Sequence, residues 1–281
     1  MLDKISIGTA QFGLEYGINN TKGQTRKYEV SKILKRCKEV GIMHIDTAAA
    51  YGSAENVLGE VIQSEGLSNS FLITTKYKGD GSNSLSLSTR ESLHKLRAEK
   101  LHCQMFHSYQ DFKNIEDFTK PDSVDKIGVS VYTNEELLDT VENFNVRVIQ
   151  CPFNLLDNDS IRRGTLAKAK EKGIEIQVRS VFLQGLFFMD RNNLPPSLIE
   201  LKSYLEELDR ICSENKISMA HLALGYCLSK DYIDKVVIGV DSLEQLNLNI
   251  EAMKAPLPYP IIQEIDKINV TNQTLLNPTN W

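Results

Sequence analysis

The chain has 281 residues, with 32 Lys+Arg against 37 Asp+Glu and a formal net charge of −5. That negative balance argues against nucleic-acid binding, which depends on a basic patch or stripe. With 41% hydrophobic and 25% charged residues the composition is that of an ordinary globular protein. No apolar run approaches the ~18–20 residues of a membrane helix.

The opening Met1-Leu2-Asp3-Lys4-Ile5-Ser6 has no apolar core of a secretory leader, so none is expected. Five cysteines (Cys37, Cys103, Cys151, Cys212, Cys227) are scattered and never spaced C-x-x-C. An odd, dispersed set favours free thiols in a reducing compartment over disulfides or zinc, and the cytoplasm is the expected location.

Short β-branched or apolar runs alternate with segments of helical period along the chain. The run at 5–7 precedes Val30-Ile33-Leu34-Cys37-Val40, a helical stripe closed by Gly41. The run at 43–45 precedes Ala54-Val57-Leu58-Val61-Ile62, and 71–74 precedes a helix over 85–96. Runs at 102–106 and 126–129 follow, then Leu137-Leu138-Val141, with a helix start at Asn134 after Thr133. After 146–150, Asp159-Ser160 reads as the cap of a helix that ends at Gly173. The seventh run, 174–178, leads into a polar loop at 190–196 and helical segments at 197–215 and 219–228, before the last run at 236–238.

Eight strands alternating with helices imply a parallel sheet with right-handed crossovers. Eight such strands in ~250–280 residues fit one closed (β/α)8 TIM barrel, an α/β fold in a single domain, better than two domains. The excess helices make 186–230 an elaborated excursion of that barrel, and about 270–281 form a C-terminal segment. Oligomeric state leaves no mark in the sequence.

Nucleotide and metal motifs are missing. No G-x-G-x-x-G occurs; Gly79-Asp80-Gly81 comes nearest, but its third position is Ser84. There is no P-loop, no H-E-x-x-H and no metal-spaced His/Cys cluster, so no metal site is expected.

In a parallel barrel, residues at the C-terminal strand ends converge on one mouth, where active sites lie. Successive strands deliver Asp46 and Tyr51, then Lys76, then His107. Singly, each has a bland explanation: a turn cap, loop packing, a solvated lysine, a satisfied histidine. Delivered together to one rim, they form a proton-transfer set. A phenol titrates near pH ~10 and exchanges protons poorly at neutrality, but a neighbouring ammonium favours the phenolate. Lys76 supplies that charge, Asp46 holds Lys76, His107 orients a substrate oxygen, and Tyr51 gives or takes the proton. Such a set suits redox chemistry at a carbonyl.

These residues, in this order, resemble the aldo-keto reductases. The resemblance runs from Gly8-Thr9-Ala10-Gln11-Phe12-Gly13 through Ile45-Asp46-Thr47-Ala48, Tyr51-Gly52 and Glu55-Asn56-Val57-Leu58-Gly59 to Lys76 and His107. It continues through Gly128-Val129-Ser130, Gln150-Cys151-Pro152-Phe153-Asn154, Arg179-Ser180 with Gln184-Gly185, and Ile238-Gly239 with Leu246 and Asn249. It implies a nicotinamide cofactor bound without a Rossmann fold, with Asp46, Tyr51, Lys76 and His107 as the catalytic four. Ser130 and Gln150 match residues that hold the carboxamide, and Arg179 takes the place of the residue that stacks on the nicotinamide. Ser180 through Gln184 match a pyrophosphate loop, while Gly8, Thr9, Gln245 and Asn249 complete the implied cofactor contacts.

Three departures stand out. Val131 replaces an Asn that usually follows Ser130. Arg179 replaces an aromatic ring; a guanidinium can stack, and its charge should disfavour the oxidised, cationic ring, a hint of carbonyl reduction. The loop Gly239-Val240-Asp241-Ser242-Leu243-Glu244-Gln245 carries two acids where NADP-preferring relatives carry a base. Family habit puts NADP(H) slightly ahead, and local charge argues for NAD(H).

The expected partner is a small carbonyl or alcohol substrate, with a sugar or sugar derivative suggested by the 179–185 stretch. Phe12, Tyr77, Phe153, Phe182, Phe187 and Phe188 are candidate walls. Trp281 and the C-terminal segment could cover the mouth or simply pack. Two rivals stand beside the reductase: a non-catalytic NAD(P)H-sensing barrel, and a lyase or isomerase using Lys76 as a Schiff base.

Overall fold

The computed structural model describes residues 1–79, 84–115 and 119–281. The near-motif at Gly79-Asp80-Gly81 therefore lies outside the described residues beyond Gly79. Eight strands, β1 (Ile5–Gly8), β2 (His44–Asp46), β3 (Leu72–Tyr77), β4 (Leu101–Phe106), β5 (Val124–Ser130), β6 (Val148–Pro152), β7 (Glu175–Arg179) and β8 (Lys235–Gly239), pair in sequence order, all parallel. β8 returns to β1 and closes the barrel. Helices α1 (Ala10–Gly13), α2 (Lys27–Val40), α3 (Ala54–Ser64), α4 (Leu85–Leu96), α5 (Tyr109–Lys113), α6 (Asn134–Asn143) and α7 (Asp159–Glu171) lie between successive strands. The rest are α8 (Lys202–Asn215), α9 (Met219–Leu228), α10 (Leu243–Ala252) and α11 (Tyr259–Ile265). The single-domain (β/α)8 barrel is thus the fold.

Glycines end α2 and α7: Gly41 (φ 80°) and Gly173 (φ 70°) take the left-handed conformation that closes a helix cheaply. At α7 the cap lies one residue earlier than the sequence suggests. Its N-cap is Asn158, whose Oδ1 accepts from Ser160 N–H at 3.1 Å. Asp159 sits one place inside the helix, where its carboxylate meets Lys230 at 3.3 Å. At α6, Thr133 and Glu136 form a reciprocal capping box.

β3 runs three residues beyond the expected 71–74. Thr75 and Lys76 look like a strand end, yet the ladder to β4 continues through Thr75↔Gln104, Lys76↔Met105 and Tyr77↔Phe106. Their polar groups are not wasted inside: Thr75 Oγ1 donates to Glu55 Oε1 at 2.7 Å, and Lys76 reaches Asp46. Glu55 and Gly59 thereby gain a purpose. Glu55 ties α3 to β3, and a Cβ at Gly59 would lie 2.1 Å from Lys95 O of α4.

The main apolar core lies between strands and helices, and a small patch of Cys103, Met105 and Val148 stands apart from it. Inside the barrel polar and apolar side chains mix: by the two-residue period Cys103, Met105 and Val148 face inward beside Lys76 and Gln150. Lys126 of β5 reaches Glu175 of β7 at 2.6 Å, a contact between strands that are not neighbours and so across the interior. By the two-residue period, Glu175, Gln177 and Arg179 share that inward face, bottom to top. Of the candidate walls, Phe12, Tyr77, Phe153 and Phe187 are 0–3% exposed and belong to the main apolar core. Phe182 and Phe188 remain nearer the surface, edge to face at 5.3 Å.

The excursion between β7 and β8 is braced by Arg191, which pairs with Asp209 through two 2.8 Å bonds. The C-terminal segment packs against that excursion, Asn272 donating to Glu200 at 3.3 Å and Thr271 N–H to the Tyr204 hydroxyl at 3.2 Å, while Trp281 Nε1 donates back to Leu275 O within the segment at 2.9 Å. Among the described residues no helix is long and apolar enough to cross a membrane.

Candidate active site

The four candidate catalytic groups meet at the C-terminal mouth. Asp46 ends β2, and its Oδ1 accepts from Lys76 Nζ at 2.5 Å; both side chains are buried. Lys76 gives a second hydrogen bond to Thr47 O at 3.2 Å and lies 5.2 Å from the centre of the Tyr51 ring. His107, just past β4, meets Tyr51 edge to face with ring centres 5.7 Å apart. Burial works against charge on Lys76, but the Asp46 carboxylate, Tyr51 and the Asp46 hydrogen bond outweigh it, and the ammonium is held charged above its ordinary range.

Main chain, more than side-chain packing, holds Tyr51. Gly13 of α1 presses against the Tyr51 turn so closely that a Cβ there would lie 1.9 Å from Tyr51 O and 2.4 Å from Ala54 N. Gly52 follows at φ +54°, where a Cβ would lie 2.4 Å from Gly13 O. Gly13→Ala is therefore expected to push the Tyr51 turn out of place. Carbonyl reduction should be largely lost, with a lowered melting temperature; unchanged rates would show that the contact does not set the Tyr51 position.

His107 is neutral. Burial pushes its imidazole down to about 3, and the charges of Lys76, Arg179 and Lys78 act in the same direction. His44, at the barrel floor, is pushed down to about 4 chiefly by burial. In the unfolded chain both titrate near ~6.5, so the unfolded state binds more protons as pH falls. Their contribution to stability is complete above pH ~6.5 and is lost as pH drops toward these folded values. Urea midpoints should fall between pH 6.5 and 4, and a flat profile would contradict this assignment. Across pH 6–8, kcat/KM should show no limb from His107.

The implied cofactor residues fall into groups. Ser130 and Gln150 are partners in the β5–β6 ladder. Gln150 Nε2 donates to Asp46 Oδ2 at 2.8 Å and to Gln177 Oε1 at 3.2 Å, while its buried Oε1 has no protein partner. A buried acceptor left open beside Ser130 fits the amide N–H of a nicotinamide carboxamide. Thr9 is fully buried and gives both N–H (3.0 Å) and hydroxyl (3.1 Å) to Asp46 O, so it positions the aspartate; Gly8 lies beside it. Ser180 (φ 60°), Leu183 (46°) and Gln184 (54°) all take the left-handed conformation in one loop, a cluster of strain of the kind that marks ligand-binding turns. Arg179 lies over the Tyr132 ring at 4.1 Å. Gln245 is exposed and bonds to Asp241 N–H at 2.7 Å; Asn249 is buried one turn further along α10.

Three residues of the site escaped the sequence. Tyr16 and Tyr132 bring phenols to the mouth; Tyr16, bonded to Gln184, is raised to about 12, mainly by burial. Asn154 donates to Ser180 O at 3.1 Å while its Oδ1 accepts from Leu156 and Asp157 N–H, stapling the loops after β6 and β7. Loop tyrosines carry no periodic signal; Asn154 lay within a recognised stretch but without a role.

The pattern of the aldo/keto reductase family matches residues 4–270. The chain is 24% identical to an aryl-alcohol dehydrogenase of Pestalotiopsis microspora over 95% of its own length and 77% of the relative's. It is 23% identical to the L-glyceraldehyde 3-phosphate reductase of Escherichia coli K12 (85% and 83%). Identity to a probable voltage-gated potassium channel subunit beta of Oryza sativa is 22% (93% of each chain). An aldo-keto reductase of Bacillus halodurans, solved in holo form, superposes with a TM-score of 0.69 at 19% identity, covering 96% of this chain and 94% of that one. This chain belongs to the aldo/keto reductase family. It is accordingly an NAD(P)-dependent oxidoreductase acting on small molecules.

Proposed function

We propose that the protein reduces an aldehyde or ketone, a sugar derivative among the candidates, to an alcohol with Tyr51 as general acid. The observation that carries this is the buried Asp46–Lys76 pair at 2.5 Å with Lys76 Nζ set against the Tyr51 ring. The nicotinamide cofactor that Ser130 and Gln150 would hold would, when bound and reduced, supply the hydride to the carbonyl carbon. Tyr51 gives its O–H proton to the carbonyl oxygen, Lys76 stabilises the phenolate left behind, and solvent returns the proton. Neutral His107 donates a hydrogen bond to the same oxygen. Ser130 and Gln150 hold the carboxamide, the 180–184 loop takes the pyrophosphate, and Gln245 and Asn249 lie toward the adenosine.

Family habit favours NADP(H), but the charge around the start of α10 favours NAD(H). Glu29 Oε1 accepts from Leu243 N–H at 2.7 Å, and Asp241 Oδ1 is buried without a partner. A 2′-phosphate placed there meets two carboxylates, partly offset by Lys32, 3.4 Å from Glu29, and by Lys22, whose charge acts on both. Five free cysteines support a reducing, cytoplasmic setting. The test is fluorescence titration with NADH and NADPH, followed by cofactor oxidation with a panel of aldehydes and keto sugars. Binding of neither cofactor would overturn the proposal.

A non-catalytic, cofactor-sensing role has one observation in its favour, the potassium-channel-subunit name of the rice relative. The complete set Asp46, Tyr51, Lys76 and His107 argues for chemistry instead. A lysine held charged by Asp46 is also a poor Schiff-base nucleophile; a borohydride-trapped adduct on Lys76 would reverse that conclusion.

A further inference from the structure

Arg179 is placed with care, and among the described residues no carboxylate meets its charge. It ends β7 on the inward face above Gln177, and its guanidinium lies 4.1 Å from the centre of the Tyr132 ring. Tyr132 is itself fixed at both ends: its N–H donates to Glu136 Oε2 at 2.6 Å, and its carbonyl accepts from Arg162 Nη2 at 2.7 Å. Arg162 is locked in turn on Asp157 by bonds of 2.6 and 2.7 Å. The platform is rigid.

Among the described residues Arg179 forms no ion pair, and its hydrogen bonds to Ser180 Oγ (3.3 Å) and Val131 O (3.4 Å) are long. A guanidinium has five N–H donors, and a half-buried one without a carboxylate leaves much of that capacity open. Asp46 cannot serve, being taken by Lys76 and Gln150. Lys78 is a further cation at this rim without an ion pair among the described residues, and both it and Arg179 act on His107 in the same sense. On a chain of net charge −5, the mouth is locally positive, a field that gathers anions.

We propose that Arg179, seated on Tyr132, receives an anionic group of the carbonyl substrate, a carboxylate or a phosphate, and so selects acidic aldehydes or ketones. This rests on the carbonyl-reductase function proposed above. The planar fork of arginine suits either oxyanion through paired N–H bonds, while its open face remains available to the nicotinamide.

The test is calorimetric titration of the intact protein, with and without NADH, using the unreactive ligands glycerol 3-phosphate and succinate, with glycerol as the neutral control. Wild-type protein should bind the anions about 10- to 100-fold more tightly than glycerol. Arg179→Gln should remove that margin, Arg179→Lys should restore part of it, and Tyr132→Leu should reduce it by loosening the platform. The kcat/KM ratio of succinic semialdehyde to butanal should fall in the same order. The proposal is overturned if wild-type protein does not discriminate. It is equally overturned if Arg179→Gln weakens NADH while leaving glycerol 3-phosphate binding intact, since the guanidinium would then serve the cofactor. Failure of the reductase function shows separately, as absence of NADH and NADPH binding.

Discussion

Tyr51→Phe is expected to lower the reduction of any accepted aldehyde by about 10²- to 10⁴-fold, the usual worth of a positioned acid, while cofactor affinity holds. The substitution removes one oxygen. The ring keeps its edge-to-face contact with His107 and its place 5.2 Å from Lys76 Nζ. Because Gly13 and Gly52 fix the turn through main-chain contact, nothing compels the loop to move. A loss of rate with intact cofactor binding would therefore report chemistry and not collapse. Retained turnover would mean that another group, His107 or a water, supplies the proton, and the assignment of Tyr51 would fall.

Asp46→Asn should be costly in both stability and rate. It removes the only negative charge beside the buried Lys76 ammonium among the described residues and leaves it neutral acceptors, the new amide oxygen and the Thr47 carbonyl at 3.2 Å. Breaking one side of a buried ion pair costs about 3–5 kcal/mol, which for a domain of this size is a melting shift of roughly 6–20 °C. Lys76→Met should destabilise less, because Asp46 keeps the 2.8 Å bond from Gln150. The double variant should regain part of the lost stability and none of the lost activity. If it recovered activity, the pair would be a structural plug with no part in proton transfer. Differential scanning calorimetry and a cofactor-oxidation assay on the three proteins separate these outcomes.

Alternation of strand and helix made the barrel legible, since each crossover of a parallel barrel needs its own strand and helix, with Gly41 and Gly173 marking two of the turns. The catalytic candidates were legible for a related reason: Asp46, Lys76 and His107 lie within a residue of a strand end, and Tyr51 lies in the loop that follows β2. Partners across the interior were not. Nothing local says that Gln150 of β6 will reach both Asp46 and Gln177, or that Thr9 will spend its hydroxyl on the Asp46 carbonyl, because those contacts exist only once the sheet has closed. The aromatic residues misled for the opposite reason. Phe12 and Phe153 lie near strand ends in sequence, yet they belong to the main apolar core, Phe153 stacking on Tyr226 of α9 at 5.5 Å. The ring under Arg179 comes from Tyr132, two residues past β5, where no periodicity marks it.

The Gly13–Gly52 contact separates the proton donor from the walls around it. Its position is set by backbone touching backbone, so the surrounding side chains are free to change without carrying the phenol with them. Diversifying Tyr16, Lys78, Tyr132, Phe182 and Phe188 in a library should yield variants that accept different carbonyl compounds while keeping the same pH–rate behaviour. On this view the barrel works as a fixed reaction centre with an interchangeable vestibule, and substrate range can drift in evolution or be redirected in the laboratory without rebuilding the chemistry.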